Sequence, residues 1–165
     1  MKKTLVAFYS HSGVTKKAAG QIHAIVGGDL FEIVEQNPYP RNYNAVVEQA
    51  KREIAQGYQP PLKDDLPEMS KYDVIFVGSP NWWSTIAPPV ATFLSSADFG
   101  HKIIIPFITH GGGGLNRTVG DMKKLAQGAN ILDGFDANHA ARIPAWLETL
   151  NTLTSRSPER KFRRT

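Results

Sequence analysis

Residues 5–15 read Leu-Val-Ala-Phe-Tyr-Ser-His-Ser-Gly-Val-Thr, and they constrain the fold more than any other stretch. A short apolar run ends abruptly in small and polar residues and a glycine. A helical pattern begins at once. Val14, Ala18, Ile22, Ile25 and Val26 recur at helical spacing, and Gly27-Gly28 stops the helix. A strand is therefore delivered through a hydroxyl-rich turn to a helix N-terminus. Backbone N–H groups there lack intrahelical partners and sit at the positive end of the dipole, so an anion is favoured. The chain opens by building a phosphate site.

The same alternation continues to the end of the chain. Strands are predicted at 5–9, 30–35, 73–78, 102–109 and 129–132. Pro106 falls inside the fourth, where it cannot donate to a ladder, so a bulge or an early end to pairing is expected there. Tyr43, Val47, Ala50 and Ile54 mark a second helix, ended by Gly57 and Pro60-Pro61. A third enters through Pro88-Pro89 and runs to about Ser96. A fourth carries Val119, Met122, Leu125 and Ala126 inward, and Ile143, Trp146, Leu147, Leu150 and Leu153 form the closing helix. Five strands alternating with five helices predict an α/β fold, a mostly parallel sheet covered by helices on both faces. A chain of 165 residues fits one such domain. No internal repeat or linker divides it.

Composition excludes several classes of function. The chain has no cysteine, which rules out a disulfide scaffold, an iron–sulfur cluster, a thiolate zinc site and a thiol nucleophile, and fits a reducing cytoplasm. The apolar run after Met1-Lys2-Lys3 is too short for a signal peptide, and no run reaches transmembrane length. The net charge of +4 comes wholly from residues 155–165, because residues 1–154 carry 14 Lys or Arg and 14 Asp or Glu. A nucleic-acid footprint needs a basic face on the folded body. Here a neutral domain over 1–154 is followed by a short basic tail, read as disordered.

Ligands of open parallel sheets bind beyond the carboxyl ends of the strands. The loops after the first, third and fourth strands should therefore hold the site. The first places Ser10, Ser12 and Thr15 around Gly13, with Lys16 and Lys17 beyond. An ordinary capped helix start is the alternative, but three hydroxyls in six residues exceed what a cap needs. Neither Gly-x-x-x-x-Gly-Lys-Ser/Thr nor Gly-x-Gly-x-x-Gly occurs, which disfavours nucleotide triphosphate hydrolysis and Rossmann dinucleotide binding. The second loop holds Asn81, Trp82, Trp83 and Ser84. Adjacent tryptophans cannot both enter one core from a loop, so one is expected to pack under the following helix and one to be exposed, suited to a flat ring. The third loop, His110 followed by Gly111 to Gly114, lets backbone lie against a ligand edge; a mobile tether is the alternative. Together the three loops describe a site for a monophosphate bearing a large flat ring, which is flavin mononucleotide (FMN).

Four segments carry a more specific likeness. They are Ser10-His11-Ser12-Gly13-Val14-Thr15, Pro38-Tyr39-Pro40-Arg41-Asn42-Tyr43, Gly78-Ser79-Pro80-Asn81-Trp82-Trp83 and Pro106-Phe107-Ile108-Thr109-His110-Gly111-Gly112. With them the chain resembles the flavodoxin family over residues 3 to about 153. The resemblance implies a single-domain three-layer sandwich with a five-stranded parallel sheet in the order 2-1-3-4-5, and FMN as cofactor. It implies that Ser10, Ser12, Gly13, Val14 and Thr15 hold the phosphate. Ser79, Pro80, Asn81 and Trp82 or Trp83 then line the ring, and Thr109, His110, Gly111 and Gly112 approach its other edge. His11 and His110 lie in ligand loops as hydrogen-bonding groups, whereas His23, His101 and His139 read as surface or packing residues. No catalytic residue and no metal site is expected. Val14 stands where the family commonly has Asn, which removes one polar contact. The neutral body also differs from the acidic surface typical of electron-carrying flavodoxins. The resemblance implies an electron carrier working with redox proteins or a small-molecule acceptor. A nicotinamide-dependent flavin or quinone reductase and a flavin-free binding module are the alternatives.

Overall fold

The computed structural model describes residues 3–154, so the basic tail at 155–165 lies outside the described residues. In chain order the elements are β1 (Thr4–Tyr9), α1 (Val14–Val26), β2 (Asp29–Ile33), α2 (Tyr43–Gln56), β3 (Val74–Trp82), β4 (Thr85–Ile86), α3 (Pro88–Ser95), β5 (Ile103–Thr109), α4 (Thr118–Leu125), β6 (Asn130–Ile131), β7 (Phe135–Asp136) and α5 (Ile143–Thr154). The sheet runs β2-β1-β3-β5-β6 with these pairs parallel. β4 is a two-residue antiparallel return on β3, and β7 extends the far edge beside β5. Leaving β4 aside, this is the expected 2-1-3-4-5 order. Among the described residues no helix is long and apolar enough to cross a membrane.

Every residue of β1 is buried, and the two-residue period of a strand divides them between two cores. Leu5, Ala7 and Tyr9 join Ile75, Val77, Ile104 and Ile108 against Val90, Phe93 and Leu94 of α3 and Met122 of α4. Val6 and Phe8 join Phe76, Ile105 and Phe107 against Ala18, Ala19 and Ile22 of α1 and Ile143, Leu147 and Leu150 of α5. Helices on both faces make three layers.

Three local departures from expectation have physical causes. β2 ends at Ile33 because the chain peels away to meet residues 61–63. Lys63 N–H donates to the Val34 carbonyl and Gln36 N–H to that of Pro61, both at 2.8 Å. Pro106 does not stop its strand, since β5 pairs with β3 from Ile103 through Thr109. In a parallel ladder alternate residues address opposite neighbours. Ile104 and Ile108 accept from Leu132 and Ala137 on the far side, so the missing N–H of Pro106 faces that side too. The interruption therefore falls in the neighbour: the predicted 129–132 strand shortens to β6, and pairing with β5 resumes at β7, beyond the predicted strand.

Gly78 shows how closely the two central strands fit. It pairs with Phe107, and a Cβ added there would lie 2.3 Å from the fully buried Phe107 ring. Gly78→Ala is expected to destabilise the protein by about 1–3 kcal/mol, the range for overpacked cores, read as a lowered urea midpoint with unchanged slope.

Candidate ligand site

The carboxyl ends of β1, β3 and β5 converge on one cleft of about 900 Å³, walled on its remaining side by α2. His11, Ser12, Val14, Thr15, Pro80, Asn81, Trp82, Trp83, Thr109, His110 and Gly111 line it, so the three predicted loops do come together. Ser10 and Gly13 shape the first turn from behind. Gly13 adopts φ 100°, and its N–H donates to Ser10 Oγ at 3.1 Å. The ordinary-cap reading does not hold, because no side chain caps α1. Val14 and Thr15, its first residues, line the cleft with Ser12. Thr15 is buried, and its Oγ1 shares a 2.7 Å hydrogen bond with Thr109 Oγ1, coupling the first loop to the third.

Ser79 is a correction to the predicted set. It is fully buried, its hydroxyl donates to the Pro80 carbonyl at 2.8 Å, and its Oγ accepts the Ala87 N–H at 3.0 Å. It braces the way into α3 and does not face the cleft. Gly112 also falls outside the lining residues. It holds the site indirectly, as its N–H donates to His110 Nδ1 at 3.0 Å.

The two tryptophans have different environments. Trp82 is half-buried, and the rings of Tyr39, Tyr9 and His11 meet it edge-on at centroid distances of 5.3, 5.7 and 5.8 Å. Trp83 is 45% exposed. Its Nε1–H donates to the Val47 carbonyl of α2 at 3.0 Å, and the Lys51 ammonium lies 5.3 Å from its ring centroid.

The glycine loop is pinned, so the tether reading fails. Asn81 Nδ2 donates to the Gly114 carbonyl at 2.7 Å and Asn116 Nδ2 to that of Gly113 at 2.8 Å. His110 is held more firmly still. Its backbone N–H donates to Asn138 Oδ1 and its carbonyl accepts from Asn138 Nδ2. Because Gly112 N–H donates to Nδ1, the network assigns the ring proton to Nε2. Nε2 lies 2.8 Å from Asp136 Oδ2. Burial opposes ionisation of Asp136, but the hydrogen bonds from His110 and the Asn138 N–H outweigh it and hold the carboxyl below its ordinary range. The result is an imidazole fixed in orientation at the third loop.

Behind Trp82 lies a buried acid–phenol network. Tyr9 O–H donates to Glu35 Oε2 at 3.0 Å, and Tyr39 O–H donates to Glu53. Burial first, then the Glu35 charge, pushes the Tyr9 phenol far up. Burial and the hydrogen bond to Glu53 do the same to Tyr39. The hydrogen bond to Asp29, then burial, pushes Tyr72 up to about 12. Folded-state values above the unfolded one mean that the stabilisation is complete below pH ~10 and is lost as pH rises through the folded values. Urea midpoints are therefore expected to fall steadily above pH ~10, and less steeply in Tyr9→Phe. Identical pH profiles for the two proteins would refute this.

Sequence reasoning missed the wall made by Tyr43, Val46, Val47 and Ala50 of α2 with Arg41 just before it, and the clamp by Asp136 and Asn138. Arg41 and Tyr43 lie in a segment that matched the family pattern, a signal that carried no site role. Asp136 and Asn138 sit in an unremarkable stretch, and only the β5–β7 pairing brings them to His110. Among the described residues no group of His, Asp or Glu is arranged to hold a metal ion.

A family model described as flavodoxin matches residues 3–150. No curated protein matches the chain. Among solved structures, a Bacteroides eggerthii protein assigned provisionally as a flavoprotein superposes with a TM-score of 0.80 at 30% identity, over 90% of this chain and 98% of that one. A Lactobacillus acidophilus flavoprotein in complex with FMN superposes with a TM-score of 0.72 at 27% identity, over 89% of this chain and 99% of the other. A flavodoxin from the domain Archaea shares the fold at 15% identity and a TM-score of 0.52, over 87% and 90% of the two chains.

Proposed function

The chain belongs to the flavodoxin family, and from that premise we propose that it binds FMN in this cleft and acts as a redox protein through it. The observation that carries the reading is one cleft holding an uncapped helix N-terminus, two loop hydroxyls and an aromatic wall. The FMN complex of the Lactobacillus acidophilus neighbour supports it. Bound FMN supplies electron and hydride chemistry. The chain's residues fix where that chemistry happens. The α1 N–H groups, with Ser12 and Thr15, hold the phosphate. Trp82 lies against the ring. It is the inner tryptophan, in contact with His11 of the phosphate turn, and a ring tethered to that phosphate by a short chain must settle near it. His110, fixed in orientation, and the pinned glycine backbone meet the ring's other edge.

A nicotinamide-dependent reductase is the second reading, favoured by the clamped His110 beside an open cleft. A cytoplasmic setting belongs to either version. The test is spectroscopic. FMN added to the purified protein is expected to show quenched fluorescence and a perturbed visible band at one equivalent. Protein that leaves FMN fluorescence unchanged would overturn the proposal in favour of a flavin-free module. Steady oxidation of NADH or NADPH with a quinone acceptor would select the reductase, and no turnover the carrier.

A further inference from the structure

Once the phosphate turn and Trp82 are assigned to FMN, the outer part of the cleft still holds groups without a task. Trp83 and Ser84 occupy the two-residue turn between β3 and β4 with φ of 54° and 72°. That is the φ pattern of a type I′ turn, which ordinarily takes Asn-Gly. A bulky aromatic there carries backbone strain that Asn or Gly would relieve. The strain presents an indole, tied to α2 by its N–H, along the cleft wall.

The charge around this indole is one-sided. Lys51 lies over the ring, and Arg41 lines the same cleft. Neither forms an ion pair among the described residues. The residues lining the cleft include no Asp or Glu. An entering anion therefore meets Arg41 on the cleft wall, with Lys51 beside the indole, neither of them ion-paired among the described residues, and no carboxylate among the lining residues.

We propose that this outer region is a second subsite, for a planar aromatic anion that stacks on Trp83 and is held by Arg41 and Lys51. The inference rests on FMN filling the inner cleft. It makes the electron donor or acceptor an anionic small molecule, not a basic protein of the kind that an acidic rim would dock.

Calorimetry on FMN-saturated protein tests it, with anthraquinone-2-sulfonate and neutral 2-(hydroxymethyl)anthraquinone as probes. The sulfonate is expected to bind about tenfold more tightly, an advantage that shrinks with added salt. Arg41→Gln and Lys51→Gln, both at exposed positions, should each reduce that advantage without changing affinity for the neutral probe. Trp83→Ala should weaken both probes, by roughly tenfold. Equal binding of the two probes, or binding of neither, overturns the proposal and leaves the FMN reading standing. So does a loss of the preference for FMN over riboflavin in Arg41→Gln or Lys51→Gln, since the cations would then serve the flavin phosphate. Failure of the wild-type protein to take up FMN at all overturns both readings.

Discussion

FMN is expected to bind about a hundredfold more tightly than riboflavin, a difference near 2.7 kcal/mol. The two flavins share the ring and the sugar chain, so the ratio isolates the phosphate. The turn that meets it has three properties in its favour. No side chain caps α1, so a dianion displaces only water from the first N–H groups. Gly13, in the left-handed region, carries no side chain that would stand between backbone and ligand. Thr15 is held in place by Thr109, so its hydroxyl is ordered before the ligand arrives. A hydrogen bond to a charged group contributes roughly 1.5–3 kcal/mol, so two well-made ones account for the whole ratio. The rest is offset by desolvation of the phosphate. Val14, which is exposed and lines the cleft, contributes no polar group. Val14→Asn should therefore widen the preference by a few-fold. Fluorescence titration of each flavin at fixed ionic strength measures both effects. Equal affinities for FMN and riboflavin would show that this helix end does not hold a phosphate.

The strand-and-helix order was legible because it depends on local periodicity, and β1, α1 and α5 follow from apolar spacing alone. The convergence of three loops was legible because parallel topology leaves ligands one set of strand ends to use. What stayed hidden depends on contacts distant in sequence. Ser79 reads as a ligand residue in a matched motif, yet its hydroxyl is taken up by Ala87 on the next element. Asp136 lies 26 residues from His110 and reaches it only because β7 pairs with β5. The missing N–H of Pro106 is evident from its residue type, but its effect appears in another strand. No periodicity in one segment reports on hydrogen bonds made by a neighbour. The α2 wall reads as a helix face without a site, because nothing in residues 43–54 shows that Trp83 reaches across to the Val47 carbonyl.

Trp82→Ala is expected to have the largest effect of any single substitution in the cleft, through two separable losses. The first is packing. Three rings meet the indole edge-on, two of them from buried tyrosines. Removing a large aromatic from such a cluster costs about 3 kcal/mol, the lower end for such truncations because the residue is only half-buried. The second is the surface on which the flavin lies, and its loss should weaken FMN by at least about tenfold. A destabilised protein can mimic weak binding, so the two must be read apart. Saturating FMN stabilises the native state by an amount set by its own dissociation constant, about 4 kcal/mol at a thousandfold excess over it. Urea melts with and without FMN therefore yield the stability loss and the affinity loss from one set of curves. Trp82→Phe keeps an aromatic face and part of the edge contacts. It should recover more of the affinity than of the stability, since a smaller ring still stacks but leaves a gap against Tyr9 and Tyr39. If Trp82→Ala melts at lower urea yet binds FMN with wild-type affinity, the inner tryptophan is purely structural. The ring surface would then pass to Trp83, and the outer subsite would have no aromatic wall to offer a second ligand.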